Sequence, residues 1–217
     1  MRLLELFSGT GSIGKAFEEE GWEVVSLDID PTSGACIIAN FMEWDYTLYP
    51  WGYFDGIWAS PVCTHYSIAR TTAKTPRDLE GSDAMVQRVK DVIAYFQPIV
   101  WAFENPATGL LPKRDVVRGL PFKDISYCMF GYPYRKYTRI WTNSQVWKPR
   151  PKCSKQNPCD GMKDGRHTMS SQRGPGIRNG FRDPRDICTL KMLYSMPPEL
   201  CRELARAFGL EVTSIGN

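Results

Sequence analysis

Residues 3–21 read LLELFSGTGSIGKAFEEEG, and this stretch decides the fold. LLELF is a short apolar run of strand length, GTGS punctuates it, and IGKAFEEEG has helical spacing with Gly21 as its stop. The reading is strand, glycine turn, helix. Residues 22–30, WEVVSLDID, then form a second strand, rich in β-branched residues, ending in acids and closed by Pro31. Further on, GACIIANF (34–41) reads as a short helical stretch and FDGIWAS (54–60) as a further strand. SDAMVQRVKDVIAYFQP (82–98) is the clearest amphipathic helix, and IVWAFENP (99–106) is the strand that follows it. This alternation predicts an α/β, Rossmann-like fold, with a mostly parallel sheet covered by helices on both faces.

After Pro121 the pattern changes. DISYCMF (124–130) and TRIWTN (138–143) read as two strands joined by the basic turn GYPYRKY, and PPELCRELARAFG (197–209) as a helix that stops at Gly209. Three parts are expected: a catalytic and cofactor-binding domain over 1–147, a short basic insertion over 148–185, and a segment over 186–217 that returns to the first domain. The chain has 217 residues and a net charge of +3, but residues 148–185 alone carry +7, so the basic surface is local. No apolar run reaches the length that crosses a bilayer, and the start shows no signal-peptide pattern. A cytoplasmic or nuclear monomer without a membrane partner is expected. Seven cysteines at irregular spacing argue against a disulfide framework and leave thiols free for chemistry, metal or packing.

Gly9, Gly11 and Gly14 lie where a strand turns into a helix. Glycines there let a ligand approach the backbone, and the helix start offers N–H groups. A tight turn without a ligand reads equally well from the glycines alone. Asp28, 17 residues beyond Gly11, ends the second strand near the spacing of an acid that accepts from a ribose, and the pair of features favours an adenosine-type cofactor.

ASPVCTHYS (59–67) places Cys63 in a loop after a strand of the same sheet. A lone cysteine is more often a small buried residue than a catalyst. The sheet edge where α/β proteins place their sites, and Glu104 at the end of another strand, move Cys63 toward a nucleophile. Wedged between Phe103 and Asn105-Pro106, Glu104 is expected to be desolvated, with a raised pKa. His65 stands two residues from Cys63, poor geometry for a catalytic pair.

In order, these motifs resemble a C5-cytosine-specific DNA methyltransferase, a small, phage- or virus-like member. LFSGTGSIG resembles the cofactor loop, VVSLDID the ribose-acid strand, DGIWASPVCTHYS the nucleophile loop and FENP the Glu-Asn motif. YRKYTRIW resembles the strand that contacts the target base, and YSMPPELCRELA the final motif, which returns to the cofactor pocket. The resemblance covers most of the chain outside 148–185. It implies S-adenosylmethionine against Phe7, Gly9, Gly11 and Pro61, with Asp28 on the ribose, Ile29 and Phe41 packing the adenine, and Asn40 near its amine. Ser195 and Met196 would close the methionine end. It further implies attack of Cys63 on C6 of a cytosine flipped out of DNA, with Glu104 on N3 and the exocyclic amine, Arg139 on the carbonyl oxygen and Asn105 bracing the nucleophile loop. RNA is the alternative polymer, and an idle cofactor-binding relative the alternative class.

Departures are visible as well. The family's Pro-Cys-Gln stands here as Val62-Cys63-Thr64, with the proline one place early at Pro61. Proline fixes φ and removes an N–H; Val62 does neither, which leaves the rigidity of the loop open. Asn40 stands where an acid is common, and Tyr137 holds the first arginine position of the base-contacting strand. The basic insertion falls where the family holds its target-recognition region, so Arg173, Arg178, Arg182 and Arg185 are expected along a DNA backbone. Cys153, Cys159 and His167 within it, with Cys188 after it, form a candidate zinc set. Unligated thiols and a surface histidine remain the other reading, because no CxxC is present.

Overall fold

The computed structural model describes residues 1–68, 70, 73–167, 169 and 190–215. Its centre is a seven-stranded sheet. In chain order the strands are β1 (Arg2–Leu6), β2 (Glu23–Asp28), β3 (Ile37–Ile38), β4 (Gly56–Ala59), β5 (Val100–Pro106), β6 (Phe122–Ser126) and β7 (Tyr137–Thr142). Their spatial order is β3-β2-β1-β4-β5-β7-β6; the first five run parallel and β7 is antiparallel to both neighbours. Winding runs one way from β1 through β2 to β3 and then the other way through β4 to β5. The reversal opens a crevice beyond the carboxyl ends of β1 and β4, the place where open α/β sheets bind ligands.

Strand parity divides the core. Leu3 and Trp58 face α1 (Ser12–Glu19) and α4 (Pro198–Ile215), where Phe17, Leu204 and Phe208 complete one buried cluster. Leu4, Leu6 and Ile57 face α2 (Leu79–Phe96), which contributes Val86, Val89 and Phe96 at helical spacing to the other. The α2 helix starts where Asp78 accepts from the Gly81 N–H at 2.8 Å and ends at Gln97 in a left-handed conformation before Pro98.

Three local readings need correction. GACIIANF is not helical: Ile37 and Ile38 pair with Leu27 and Asp28 as an edge strand, and their β-branched side chains fit that role. DISYCMF is strand only to Ser126, after which Tyr127–Phe130 turn in a 3-10 helix. The last helix does not stop at Gly209 but runs to Ile215. Glu211 rewards the extra turns by accepting from the Ser144 hydroxyl at 2.7 Å and the Gln145 N–H at 2.8 Å. Within 148–185 a two-stranded ribbon, β8 (Met162–Lys163) and β9 (Arg166–His167), interrupts the loop-like pattern. The chain re-enters through α3 (Leu190–Tyr194). Among the described residues no helix is long and apolar enough to cross a membrane.

Candidate active site

β4 delivers the chain to the crevice: the Ser60 N–H bonds the Leu6 carbonyl at 3.1 Å, and Pro61 follows, buried. The fully buried Asn105, at the end of β5, donates through Nδ2 to the Pro61 carbonyl at 2.9 Å. Beyond it the Cys63 carbonyl accepts from the Tyr66 and Ser67 N–H groups, closing a turn. Tyr66 is buried, and its hydroxyl donates to Asp83 at 2.7 Å, while Arg114 grips the same carboxylate at 2.6 Å. His65 faces away from the thiol: its Nδ1 accepts from the Asp78 N–H at 2.8 Å, and its carbonyl accepts from Arg77. Val62 stays exposed. The loop is therefore anchored on both sides of the nucleophile position by side chains outside the Pro-Cys motif.

Cys63 and Glu104 line one cleft of about 1010 Å³, and Lys136, Met162 and His167 line it as well, the last two from an outer wall in the segment after β7. Burial pushes the Glu104 carboxyl up, and the Lys136 cation partly offsets it. Its Oε2 is shut off from water and has no hydrogen-bond partner among the described residues. Burial also pushes the Cys63 thiol up; the Glu104 charge adds to the rise and Lys136 opposes it. The thiol, the carboxyl and the cation thus sense one another across the cleft.

On the cofactor side the backbone of Phe7, Gly9 and Gly11 turns through positive φ of 59°, 50° and 65°. Non-glycine residues adopt such angles reluctantly, so the two glycines are needed for the turn itself. Gly14 serves packing: a Cβ there would stand 2.5 Å from Oε2 of Glu5. That buried carboxyl accepts from the Gly14 and Ile13 N–H groups, and burial raises its pKa to about 7. The start of α1 therefore carries its own acid. Asp28 accepts from the Gly9 N–H at 2.7 Å and the Asp30 N–H at 2.9 Å. Ile29 stands 68% exposed beside it, and Phe41 meets Phe7 edge-on at 4.7 Å. Asn40 accepts from the Met42 N–H and donates to Glu43, shaping the turn under Phe41. Ser195 and Met196 come back to this loop: the Met196 N–H bonds Oγ of Ser12 at 3.3 Å, and the Ser195 hydroxyl pairs with that of Tyr132 at 2.6 Å.

Arg139, expected on the base, is not among the residues that line the cleft. It stands directly opposite Asp124 on β6, which takes its guanidinium through both oxygens at 2.7 and 2.9 Å, and it lies 3.6 Å over the Phe122 ring. Although burial opposes it, the bonds from Arg139 and Lys152 hold the Asp124 carboxyl below its usual range. The cations that line the cleft from the segment just before β7 are Arg135 and Lys136. Both belong to the same YRKYTRIW motif as Arg139. Arg173, Arg178, Arg182, Arg185 and Cys188 lie outside the described residues.

A seven-stranded sheet with one reversed strand, carrying its site at the β1–β4 crevice, is a methyltransferase architecture. The Entamoeba histolytica methyltransferase EhMeth matches it with a TM-score of 0.59 at 12% identity, over 96% of this chain and 97% of that one. An E. coli prophage protein, a candidate DNA modification methyltransferase, matches with a TM-score of 0.50 at 14% identity, over 70% of this chain and 52% of that one. Likeness at those identities bears on the fold. No protein-family model matches the sequence. In sequence, a protein of Frog virus 3 (isolate Goorha) named "Probable DNA (cytosine-5)-methyltransferase" is 32% identical over 224 residues, 94% of this chain and 98% of that protein. The chain belongs to the DNA (cytosine-5)-methyltransferase family.

Proposed function

We propose that the protein transfers a methyl group from S-adenosylmethionine to C5 of cytosine in DNA through a covalent bond from Cys63 to C6. The observation that carries this reading is the Glu104 carboxyl on the cleft that holds Cys63, with a buried oxygen lacking any partner among the described residues. An orphaned buried oxygen costs free energy and calls for a ligand to satisfy it.

The residues at the crevice fit the cofactor. An exposed isoleucine beside a strand-end acid offers an apolar face next to a hydrogen-bond acceptor. Asp28 spends one lone pair on the Gly9 N–H and one on the Asp30 N–H, and a carboxylate has others left for ribose hydroxyls. Oγ of Ser8, buried and unpartnered among the described residues, lies in the same turn. Phe7, Gly9, Gly11, Pro61, Asp28, Ile29, Asn40 and Phe41 would hold the cofactor, with Ser195 and Met196 at its methionine end. When bound, it supplies an electrophilic methyl group.

Held above its ordinary range by burial, Glu104 is the proton donor to cytosine N3 as the ring gains electrons. The Cys63 thiol loses its proton to solvent, helped by Lys136, and the thiolate bonds to C6. The C5–C6 electron pair moves toward N3 and leaves C5 nucleophilic. Once C5 is methylated, N3 returns its proton to Glu104, and loss of the C5 proton to solvent restores the C5–C6 double bond as the thiolate leaves. Asn105 keeps the loop in place throughout by holding the Pro61 carbonyl. Arg173, Arg178 and Arg182, in the basic segment, would track DNA phosphates.

A duplex carrying 5-fluorocytosine tests this. The fluorine cannot leave as a proton does, so the wild-type chain with cofactor should form an adduct that survives denaturation, and Cys63→Ser should form none. Labelling of RNA in place of DNA would overturn the polymer, and absence of an adduct on every substrate would overturn the enzyme reading.

A further inference from the structure

The cleft's outer wall is built from a segment with little apolar core of its own. Between Arg150 and His167 the buried apolar groups are two cysteines, and the partly buried Met162 packs beside them. What converges there is chemical. Cys128, from the 3-10 turn after β6, meets Cys153, Cys159 and His167 of β9, and the three sulfurs and one ring nitrogen all lie within 4.8 Å of one another. Nε2 of His167 is 3.2 Å from the Cys159 sulfur and 3.5 Å from that of Cys153. The three thiols are 5%, 1% and 8% exposed, and none is in a disulfide.

We propose that Cys128, Cys153, Cys159 and His167 bind a structural zinc ion. A tetrahedral zinc with sulfur at about 2.3 Å and nitrogen at about 2.0–2.1 Å sets its ligands roughly 3.6–3.8 Å apart, and the cluster is already close to that spacing. Simple packing of buried thiols would not aim an imidazole nitrogen at two of them. A disulfide would consume two sulfurs and strand the third beside the ring. Three thiolates and one imidazole suit zinc over the harder divalent ions, and four protein ligands leave no open position for catalysis. Cys188 lies outside the described residues, and Cys128 supplies the fourth ligand of this set. This joins the catalytic sheet to the insertion: the Tyr127 N–H bonds the Lys136 carbonyl at 3.1 Å, one residue before Cys128, and Met162 and His167 line the cleft. The ion would therefore tie the cleft's outer wall to the segment before β7 that carries Lys136.

Metal binding is independent of the methyl-transfer reading and is tested without it. Full-length protein, purified under reducing conditions from zinc-supplemented cells, should contain one zinc per chain. Cobalt exchange should give the intense visible absorption of a tetrahedral site and a thiolate charge-transfer band. Cys128→Ser and Cys159→Ser should each lose the metal, and Cys188→Ser should keep it. Where those variants fail to fold, wild-type protein titrated with a mercurial should release its zinc as the buried thiols are blocked. Chelation should expose residues 150–167 to protease while the sheet stays protected. Zinc-free wild-type protein without the cobalt bands, a disulfide among the three cysteines under reducing conditions, or full zinc retention by Cys128→Ser would each overturn the site.

Discussion

The two walls of the cleft are held by different physics. The inner wall, residues 59–67 with Glu104 and Asn105, hangs on the ends of buried parallel strands. It is fixed by short-range polar bonds, Asn105 to Pro61, Tyr66 to Asp83 and His65 to Asp78. The outer wall, residues 150–167, has no strand of the main sheet. Arg150 holds it to α4 through Glu199 at 2.9 Å and Glu203 at 2.6 Å, Tyr137 donates to the Cys153 carbonyl, and the Cys-His cluster gathers the rest. Exposed ion pairs of that kind contribute at most about 1 kcal/mol each, so such a wall depends on its cluster. A rigid scaffold presents Cys63; a pinned loop presents whatever faces it.

The sharpest break in the inner wall is chemical. Cys63→Ser should reduce methyl transfer by on the order of 10⁴-fold or more, because an alcohol cannot replace the thiolate at C6. Circular dichroism and thermal midpoint should stay with the wild type. Activity within tenfold of wild type would remove Cys63 from the mechanism.

Glu104→Gln comes next, at roughly a hundredfold or more in kcat/KM. The pH profile is the finer readout. The proposed working form needs Glu104 protonated and Cys63 ionised; burial lifts both groups above their ordinary values, and an ordinary thiol titrates above an ordinary carboxyl. Below the Glu104 pKa the rate therefore rises with pH as thiolate accumulates. Between the two values thiolate gain and acid loss cancel, and the profile is flat. Without the Glu104 titration that cancellation ends, so the glutamine variant should keep climbing through the range where the wild type has levelled. A plateau shared by both proteins would take the proton away from Glu104.

Asn105→Ala leaves the Pro61 carbonyl without its buried partner. It should cost about 1–3 kcal/mol, roughly ten- to a hundredfold if the loss falls on loop placement. Tyr66→Phe removes one bond to an acid that Arg114 still holds, and about 1 kcal/mol is expected. Thermal midpoints and kcat/KM of the two variants rank the anchors; a larger loss from Tyr66→Phe would reverse their order.

The same contrast explains what the sequence disclosed. The order strand, glycine turn, helix, strand was legible because period and punctuation are local properties. Cys63, Glu104 and Asn105 were legible because strand ends at a parallel sheet's carboxyl edge converge by topology. The pairing of Arg139 with Asp124 was not, since it depends on the register of β6 against β7, and register is a tertiary fact. Ile37 and Ile38 were misread because an edge pairing of two residues has no period to detect. Cys128 lies 25 positions before Cys153, and only folding the β6–β7 turn onto the insertion brings them together.

Val62 supplies the smallest and most discriminating test. A proline beside the nucleophile would restrict the unfolded chain and stiffen the loop, an effect of about 0.4–1 kcal/mol where the backbone accepts it. The anchors already present offer more: a buried amide on the Pro61 carbonyl and a tyrosine tied to an ion pair sit on either side of Cys63. Val62→Pro should therefore change kcat/KM by about fivefold at most in the wild-type background. In Asn105→Ala, where one anchor is gone, the same substitution should recover part of the loss. A rise of tenfold or more in the wild-type background would show that the polar anchors do not hold the loop. The two walls would then differ in composition but not in stiffness.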